Sequence, residues 1–335
     1  WDCGYDATSA GLSGWHTVTV VSDGSISDFF IDGEFVGTVP YSVSGNLKYL
    51  GNYIPSYYGG CEWAGKVSEI KLFAKSCSIP VHQPEKIRES EAVESLVNYA
   101  PDIIVVIAYG QILPKSVLDI PKIACINLHA SLLPHHRGAA PIQSSILAGD
   151  DRTGITVMYI GEGLDDGDIL FSIPLDIMPD DTGGALHERL AQLGPEALIH
   201  SLELLSSDSA PREEQEHELA TYVTKLKRSD GKINWSRSAN HIDRHVRAYD
   251  PWPGTFTFFP DHSNIKIFPP IEIVECEGSN PGQIIDLDSK GILVACGEGA
   301  LRISEIQPSG KRRMLVPAYV AGKELRVGDF LGVED

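Results

Sequence analysis

Residues suited to proton transfer and oxyanion stabilisation are concentrated between Asn127 and Asp168, in a turn-rich segment that begins NLHASLLPHHRGAAPIQ and ends GLDDGD. The His129 imidazole takes up and returns a proton near neutral pH, and the Asn127 amide can donate an N–H to a developing oxyanion. Asp165 is a candidate to orient the imidazole and to stabilise its charged form. This combination predicts acyl transfer to an amine and needs no metal ion.

The carboxylate beside His129 is less well specified than the histidine itself. The GLDDGD turn contains three acidic residues: Asp165, Asp166 and Asp168. The residues alone do not select among them, because all three are acidic and either neighbour of Asp165 can serve as a loop or cap residue. The choice of Asp165 depends on the family resemblance given below.

The apolar run just before Asn127 indicates how these side chains are positioned. Residues 123–126 read Ile-Ala-Cys-Ile, which is typical of a buried parallel strand. Asn127 and His129 are therefore expected at the end of that strand. Open α/β sheets bind ligands at the carboxyl ends of their strands, so this is the expected place for a site.

The region from Ile79 to residue 205 has the pattern of an α/β domain. A strand over 103–108, a helix near 114–118 and a strand over 123–128 form a predicted βαβ unit. The other elements predicted here are helices near 84–99, 140–148 and 183–205, and strands over 155–160 and 168–175. We therefore predict an incomplete Rossmann-like domain over residues 71–205.

Residues 1–70 have a different composition and predict an antiparallel β meander built from WHTVTVV, SDFFIDG and EFVGTV. The order Trp15-His16, Ile31 to Glu34, Val36-Gly37 and residues 65–70 resembles the second half of a laminin-G-like, concanavalin-like lectin sandwich. That resemblance implies a glycan as a partner of this segment. Trp63 and Tyr57-Tyr58 would stack on a sugar or, in the simpler interpretation, pack within a hairpin.

Residues 206–218 (SSDSAPREEQEHE) have the composition of a linker. Beyond them, in residues 219–335, short strands at KIFPPIEIVE, GQIIDLD, GILVACG and ALRISEIQP alternate with glycine-containing turns, which suits a small β-barrel. Two basic clusters lie in this part: Lys225, Lys227, Arg228 and Lys232, and Lys311, Arg312 and Arg313. Each is either a solvated loop or a phosphate-binding surface.

The motifs around Asn127 resemble those of the 10-formyltetrahydrofolate-dependent formyltransferases. The resemblance rests on Asn127, His129, SLLP, RGAAP and GLDDGD, and extends from about Ser78 through VVIAYGQILPKSVLDIP to YVTKL, INW, PWPG and IQPSGK. It implies that Asn127, His129 and Asp165 are catalytic. It also implies folate contacts for these residues: Ser131, Leu132, Leu133, Pro134, Tyr109 and Gly110.

The same resemblance implies the two substrates. The formyl donor would be 10-formyltetrahydrofolate, and GAAPIQ is typical of the members that formylate the amino group of methionyl-tRNA. In those members an oligonucleotide-binding-like (OB-like) barrel holds the tRNA, which makes the basic clusters candidate phosphate contacts. INW and PWPG disfavour the sugar-nucleotide members of the family, which are the nearest alternative within this class.

The chain departs from the family pattern before Ile79. The first strands of the family and its basic tRNA-binding loop are not found in that part of the sequence. A strand that loses its neighbour in a parallel sheet should expose apolar side chains. Two further hypotheses follow from this departure: a catalytically inactive fusion product, and a carbohydrate-binding module joined to an enzyme remnant.

Composition limits the remaining possibilities. No apolar run approaches the ~20 residues of a membrane span, and six scattered cysteines without a CxxC motif predict reduced thiols, with Cys3 and Cys61 as the one candidate disulfide. The net charge of −19 disfavours nucleic-acid binding by the overall field, although residues from Leu219 onward carry 15 basic and 15 acidic side chains. The family resemblance implies an enzyme of the bacterial cytoplasm or of an organelle matrix.

Overall fold

The computed structural model describes residues 18–22, 27–31, 34–39, 79–161, 163–207, 209–320 and 325–332. The chain consists of two compact units, Trp1–Pro84 and Glu85–Asp335. Within the first unit, strands β1 (Val18–Ser22), β2 (Ser27–Ile31) and β3 (Glu34–Val39) form an antiparallel sheet in sequential order. The predicted meander is confirmed for these strands. Other predictions for this unit fall outside the described residues: those for Tyr57, Tyr58, Trp63, and the Cys3 and Cys61 pair.

The second unit begins with an α/β part whose sheet has the order β4-β5-β7-β8. Strand β4 (Ile103–Ile107) pairs in parallel with β5 (Ala124–His129), and helix α2 (Lys115–Leu118) lies in the connection between them. The predicted βαβ unit is therefore confirmed. The other elements of this part are helix α1 (Ser90–Tyr99), the short strand β6 (Arg137–Gly138), helix α3 (Pro141–Ala148), strands β7 (Arg152–Tyr159) and β8 (Ile169–Asp176), and helix α4 (Gly183–Ser206).

The core of this part lies on one face of the sheet. Ile126 of β5 and Val157 of β7 are fully buried in a cluster that includes Leu186 and Leu190 of α4. Helix α4 begins where the Thr182 hydroxyl accepts a hydrogen bond from the Ala185 N–H, which satisfies one of the unpaired amides of its first turn. Because side chains alternate along a strand, burial of Ile126 on this face turns its two neighbours to the other face.

Strand β4 lies at the edge of the sheet and has exposed apolar side chains. Val105 is 37% exposed and Ile107 is 56% exposed. This is the exposure expected for a strand that lacks its neighbour. Among the described residues, β5 is the only strand that pairs with β4.

The C-terminal part consists of helix α5 (Ala239–Ala248) and two four-stranded antiparallel sheets, with the orders β10-β11-β16-β17 and β12-β15-β14-β13. Its strands are β10 (Thr255–Phe258), β11 (Asn264–Ile267), β12 (Ile271–Val274), β13 (Ile284–Asp288), β14 (Gly291–Ala295), β15 (Ala300–Ile303), β16 (Glu305–Pro308) and β17 (Met314–Leu315), followed by helix α6 (Val316–Val320). A β domain is therefore confirmed.

Closure of this domain into an OB-like barrel is not observed, because each sheet keeps two edge strands among the described residues. Two segments predicted as single strands each contain two strands that belong to different sheets. KIFPPIEIVE is interrupted at Pro269-Pro270, between β11 and β12, and ALRISEIQP is interrupted at Ser304, between β15 and β16. Proline lacks the N–H that a ladder requires, which explains the first break.

The segment predicted as a linker is packed against the α/β part. The backbones of Glu213 and Ile169 exchange two hydrogen bonds of 3.0 and 2.7 Å, and Gln215 is only 3% exposed. Just beyond it, strand β9 (Tyr222–Val223) pairs in parallel with β6. In the described ranges no helix combines the length and hydropathy needed to cross a bilayer.

Candidate functional site

Asn127 and His129 lie on the face of β5 opposite the core. His129 is 6% exposed and Asn127 is half-buried. Their partners on β7 are Met158 and Thr156, respectively, and both of these are buried. Among the described residues no group is hydrogen-bonded to the Asn127 side-chain amide. Its N–H groups are therefore available to a substrate oxygen.

The hydrogen bonds of His129 define which nitrogen carries a proton. Its Nε2 lies 3.0 Å from the backbone carbonyl oxygen of His136, and a carbonyl oxygen can only accept a hydrogen bond. Nε2 is therefore the donor, and in the neutral ring Nδ1 carries the lone pair. Nδ1 lies 3.7 Å from Asp165 Oδ2, too far for a hydrogen bond but close enough to stabilise a protonated ring.

Burial lowers the pKa of the His129 imidazole below its usual value. The Asp165 carboxylate and the hydrogen bond to His136 act in the opposite direction and raise the pKa. Because the effect of burial is the larger, the ring is neutral at pH 7 and can accept a proton at Nδ1.

Among the three candidate carboxylates, Asp165 is the one that lies beside His129. Asp165 has a left-handed backbone conformation, with φ of 51°, and its Oδ2 accepts a hydrogen bond of 2.8 Å from the Gly138 N–H. Asp168 lies 3.7 Å from Arg212 instead, and Asp166 is packed beside Gly163. The fold therefore distinguishes carboxylates that the residue types alone leave equivalent.

Gly138 is needed for the approach of the loop to β9. Its φ is 112°, a conformation that L side chains rarely adopt, and a Cβ atom there would overlap the carbonyl oxygen of Val223. The close approach allows the Ala139 N–H to donate to Val223 O over 3.1 Å. The conformation of Gly138 thus keeps its own N–H in position to donate to the Asp165 carboxylate.

The SLLP segment, residues 131–134, follows β5 directly and is anchored to it. The Ser131 hydroxyl donates to the His135 carbonyl over 2.6 Å, and the Ser131 carbonyl accepts from the Thr156 hydroxyl over 2.7 Å. Thr156 Oγ1 also accepts from the Leu133 N–H over 3.2 Å. Ser131 and Leu133 are buried, and Leu132 and Pro134 are half-buried, so only part of the loop faces solvent.

Tyr109 and Gly110 follow β4, the parallel neighbour of β5. Ile107 pairs with Leu128, so the two chain segments that follow these strands leave the sheet at the same edge. Tyr109 is exposed, and Gly110 has a left-handed conformation with φ of 74°. The fold brings them to the same edge as His129, and they make no described hydrogen bond with it.

Two residues of the site were not identified as functional from the sequence. Arg137 is buried to 1% exposure, and its guanidinium donates to the side chain of Gln215. Gln215 in turn donates to the Asp165 and Gly167 carbonyls, at 3.0 and 2.7 Å. Gln215 lies in an acidic stretch with linker composition, and no local pattern distinguishes it from its neighbours.

The arrangement combines an amide donor, a neutral imidazole with a free lone pair and a carboxylate that stabilises the protonated ring. These are the groups that addition of an amine to a carbonyl carbon requires. Within the part of the chain that the structure describes, no group of His, Cys, Asp or Glu side chains is arranged to hold a metal ion.

Solved structures with the same fold include HypX from Aquifex aeolicus, with a TM-score of 0.54 and 17% identity over 76% of this chain and 46% of HypX. A sugar 3N-formyl transferase, WlaRD, gives a TM-score of 0.53 and 17% identity over 72% of this chain and 82% of its own. At these identities the likeness concerns the fold. This chain spans less than half of HypX.

Sequence comparison identifies the family. The formyl transferase profile matches residues 60–202, and the profile of the formyl transferase C-terminal domain matches residues 225–324. The first match begins inside the segment predicted as lectin-like, and these matches give that interpretation no support.

Curated relatives cover most of both chains. Methionyl-tRNA formyltransferase of Akkermansia muciniphila is 46% identical over 258 residues, which are 76% of this chain and 82% of the relative. That of Geotalea daltonii is 45% identical over 266 residues, 79% of this chain and 84% of the relative. With this identity over this length, the chain belongs to the methionyl-tRNA formyltransferase family.

Proposed function

We propose that this chain transfers a formyl group from 10-formyltetrahydrofolate to the amino group of methionyl-tRNA, with Asn127, His129 and Asp165 as its catalytic residues. The observation that carries the proposal is the meeting of His129 and Asp165 beside an available Asn127 amide, in a chain of this family. The product would be the formylated initiator tRNA that begins translation.

The proposed reaction begins when the methionyl amine attacks the formyl carbon and a new C–N bond forms. The carbonyl oxygen becomes an oxyanion that accepts a hydrogen bond from the Asn127 amide. His129 Nδ1 takes the proton that the attacking nitrogen sheds, and Asp165 stabilises the imidazolium. The C–N10 bond then breaks, and the proton passes to N10, which leaves tetrahydrofolate and formyl-methionyl-tRNA.

The folate would bind at the sheet edge formed by the segments after β4 and β5. We assign its contacts to Ser131, Leu132, Leu133 and Pro134, and to Tyr109 and Gly110. Another solved structure of HypX, with a TM-score of 0.51, is described as a complex with tetrahydrofolic acid, which supports a folate in this fold. The Ser131 hydroxyl and carbonyl already have partners within the protein, so Ser131 would contribute by fixing the shape of the loop.

We divide the chain into a catalytic domain over residues 71–205, a connection over residues 206–218 and a C-terminal domain over residues 219–335. We assign the tRNA to the C-terminal domain. Lys225, Lys227 and Arg228 are exposed and can meet phosphates, which would make binding depend on salt. We place the enzyme in the bacterial cytoplasm or an organelle matrix, where initiator tRNA is formylated.

The test is formyl transfer from labelled 10-formyltetrahydrofolate to methionyl-tRNA by this exact chain, beside a His129→Ala variant. We expect activity in the unaltered chain and a loss of about 10²- to 10⁴-fold in the variant, the range for a general acid-base group. His135→Ala is a matched control, because His135 is exposed and its hydrogen bonds within the loop are made by its backbone N–H and carbonyl.

Two results would contradict the proposal. One is no product from the folded chain under conditions in which a known methionyl-tRNA formyltransferase is active, which would favour the inactive fusion. The other is formylation of an amino-sugar nucleotide in preference to methionyl-tRNA.

A further inference from the structure

The side chain of Gln215 connects a buried guanidinium to the backbone of the loop that contains Asp165. Gln215 Oε1 accepts hydrogen bonds of 3.1 and 2.6 Å from Arg137 Nε and Nη2. Gln215 Nε2 donates bonds of 3.0 and 2.7 Å to the carbonyl oxygens of Asp165 and Gly167. One side chain therefore uses both ends of its amide within the site.

The orientation of this amide is determined by its neighbours. A guanidinium has only donors and a backbone carbonyl has only acceptors, so the oxygen must face Arg137 and the nitrogen must face the loop. In the opposite orientation the amide N–H groups would face the guanidinium N–H groups, and the amide oxygen would face the loop carbonyls, all in a buried place. Gln215 is therefore locked in one position.

Arg137 is a suitable anchor for this contact because it has little freedom of its own. Its other acceptors among the described residues are Tyr222 Oη at 3.2 Å and His217 Nδ1 at 3.0 Å. None of its described acceptors is a carboxylate, so burial of its charge depends on these neutral groups. Loss of the Gln215 oxygen would leave part of the buried Arg137 charge unpaired. This cost keeps the Gln215 side chain hydrogen-bonded to Arg137.

We infer that Gln215 is a positioning residue that holds the 165–167 loop so that the Asp165 carboxylate lies beside His129. The inference rests on the proposed function, and it assigns a role to a residue in a segment whose composition predicts a linker. Asp165 Oδ2 is held from one side by the Gly138 N–H, and its backbone is held from the other side by Gln215.

Positioning of this carboxylate matters because Asp165 and His129 are not hydrogen-bonded to each other. Their separation of 3.7 Å is set by strand β5, which holds His129, and by the loop that holds Asp165. A displacement of about 1 Å in a catalytic site can cost about 10²-fold in rate. The left-handed backbone of Asp165 is also disfavoured for a residue with a Cβ, so it needs support from its surroundings.

The experiment compares two substitutions that separate the two ends of the amide. Gln215→Glu keeps an oxygen that accepts from Arg137 but has no N–H for the loop carbonyls. Gln215→Met has neither group at nearly the same length. If Gln215 acts by donating to the loop, both variants lose kcat by about 10- to 100-fold while both KM values stay within about 2-fold. Glu214→Gln is the matched control, since Glu214 is the exposed neighbour.

A purely structural role predicts a different pattern, because an acceptor for Arg137 would then suffice. In that case Gln215→Glu keeps the kcat of the unaltered chain and Gln215→Met loses thermal stability, and this result would overturn the inference.

A second measurement does not depend on turnover and so separates this inference from the proposed function. NMR titration of the His129 ring in Gln215→Met should show its pKa lowered relative to the unaltered chain, because Asp165 moves away. An unchanged His129 pKa would overturn the inference, whether or not the unaltered chain formylates methionyl-tRNA. A lowered pKa in a chain without activity would support the positioning role and contradict only the proposed reaction.

Discussion

At the scale of single residues, the site depends on a histidine whose proton is assigned by its surroundings. The His136 carbonyl holds Nε2 as a donor, which leaves the Nδ1 lone pair to accept a proton. The half-buried Asn127 lies two residues earlier on the same face of β5. The amide and the imidazole can therefore act on one carbonyl group from neighbouring positions.

Replacement of Asn127 by Ala removes the proposed oxyanion donor. We expect kcat to fall by about 10²- to 10³-fold, the loss typical of one such donor, with little change in folate binding. Steady-state kinetics with methionyl-tRNA would measure this, with thermal unfolding as the control for folding. A variant that kept full kcat would show that Asn127 does not contact the oxyanion.

The pH dependence of kcat/KM should report the pKa of His129. If neutral His129 is the base, activity rises with pH through that pKa, which burial holds below the usual 6.5. The acidic limb of the profile therefore lies below pH 6.5, and activity is level from there to neutral pH. In Asp165→Asn the carboxylate that most raises the His129 pKa is lost, so the limb moves to still lower pH. A limb that moved to higher pH would contradict this arrangement.

At the scale of elements, the site is assembled where three segments meet. Strand β5 supplies His129, the turn after it pairs with β9, and the loop before β8 supplies Asp165. The pairing of β6 with β9 brings the Gly138 N–H to the Asp165 carboxylate. A segment beyond the connection thus helps to position Asp165 beside His129.

Gly138→Ala tests this pairing. Its φ of 112° and the overlap of a Cβ with Val223 O predict a loss of roughly 3 kcal/mol or more in the free energy of unfolding, along with reduced activity. Gly310→Ala is the matched control, since Gly310 also has a positive φ, of 71°, but a Cβ there would have no atom within 4 Å. We expect it to cost only about 1 kcal/mol and to leave activity unchanged. Chemical denaturation would measure both, and equal losses would argue against the overlap.

At the scale of the whole molecule, buried histidines link stability to pH. Burial lowers the pKa of both His129 and His245 in the folded chain, and His245 Nε2 lies 2.9 Å from the Asp230 carbonyl. Since the unfolded chain binds protons at higher pH than the folded chain, stability is fully present above about pH 6.5 and declines as pH falls through the folded pKa values.

We therefore expect the free energy of unfolding to fall between about pH 6.5 and 5, before most carboxylates titrate. Denaturant unfolding at intervals across this window would measure the slope. His245→Gln keeps an N–H donor for the Asp230 carbonyl and removes the titration, so its slope should be shallower. A slope that was the same in both proteins would rule out His245 as a contributor.

The sequence by itself determined the α/β class, the position of Asn127 and His129 at a strand end, and the reaction class. These follow from local apolar runs and from a motif whose residues are close together in the chain. It also predicted exposed apolar side chains on a strand that loses its neighbour, and Val105 and Ile107 of β4 are exposed. The barrel closure predicted for the C-terminal domain was not observed. The prediction rested on strand spacing, which does not specify whether two sheets join.

Only the tertiary structure decided which carboxylate lies beside His129, which nitrogen of the ring carries the proton, and that Gln215 supports the site. The physical reason is that each depends on hydrogen bonds between residues far apart in the chain. Asp165 accepts from Gly138, 27 residues away, and Gln215 accepts from Arg137, 78 residues away. Residue type and periodicity carry no information about such pairings, which form when packing brings the segments together.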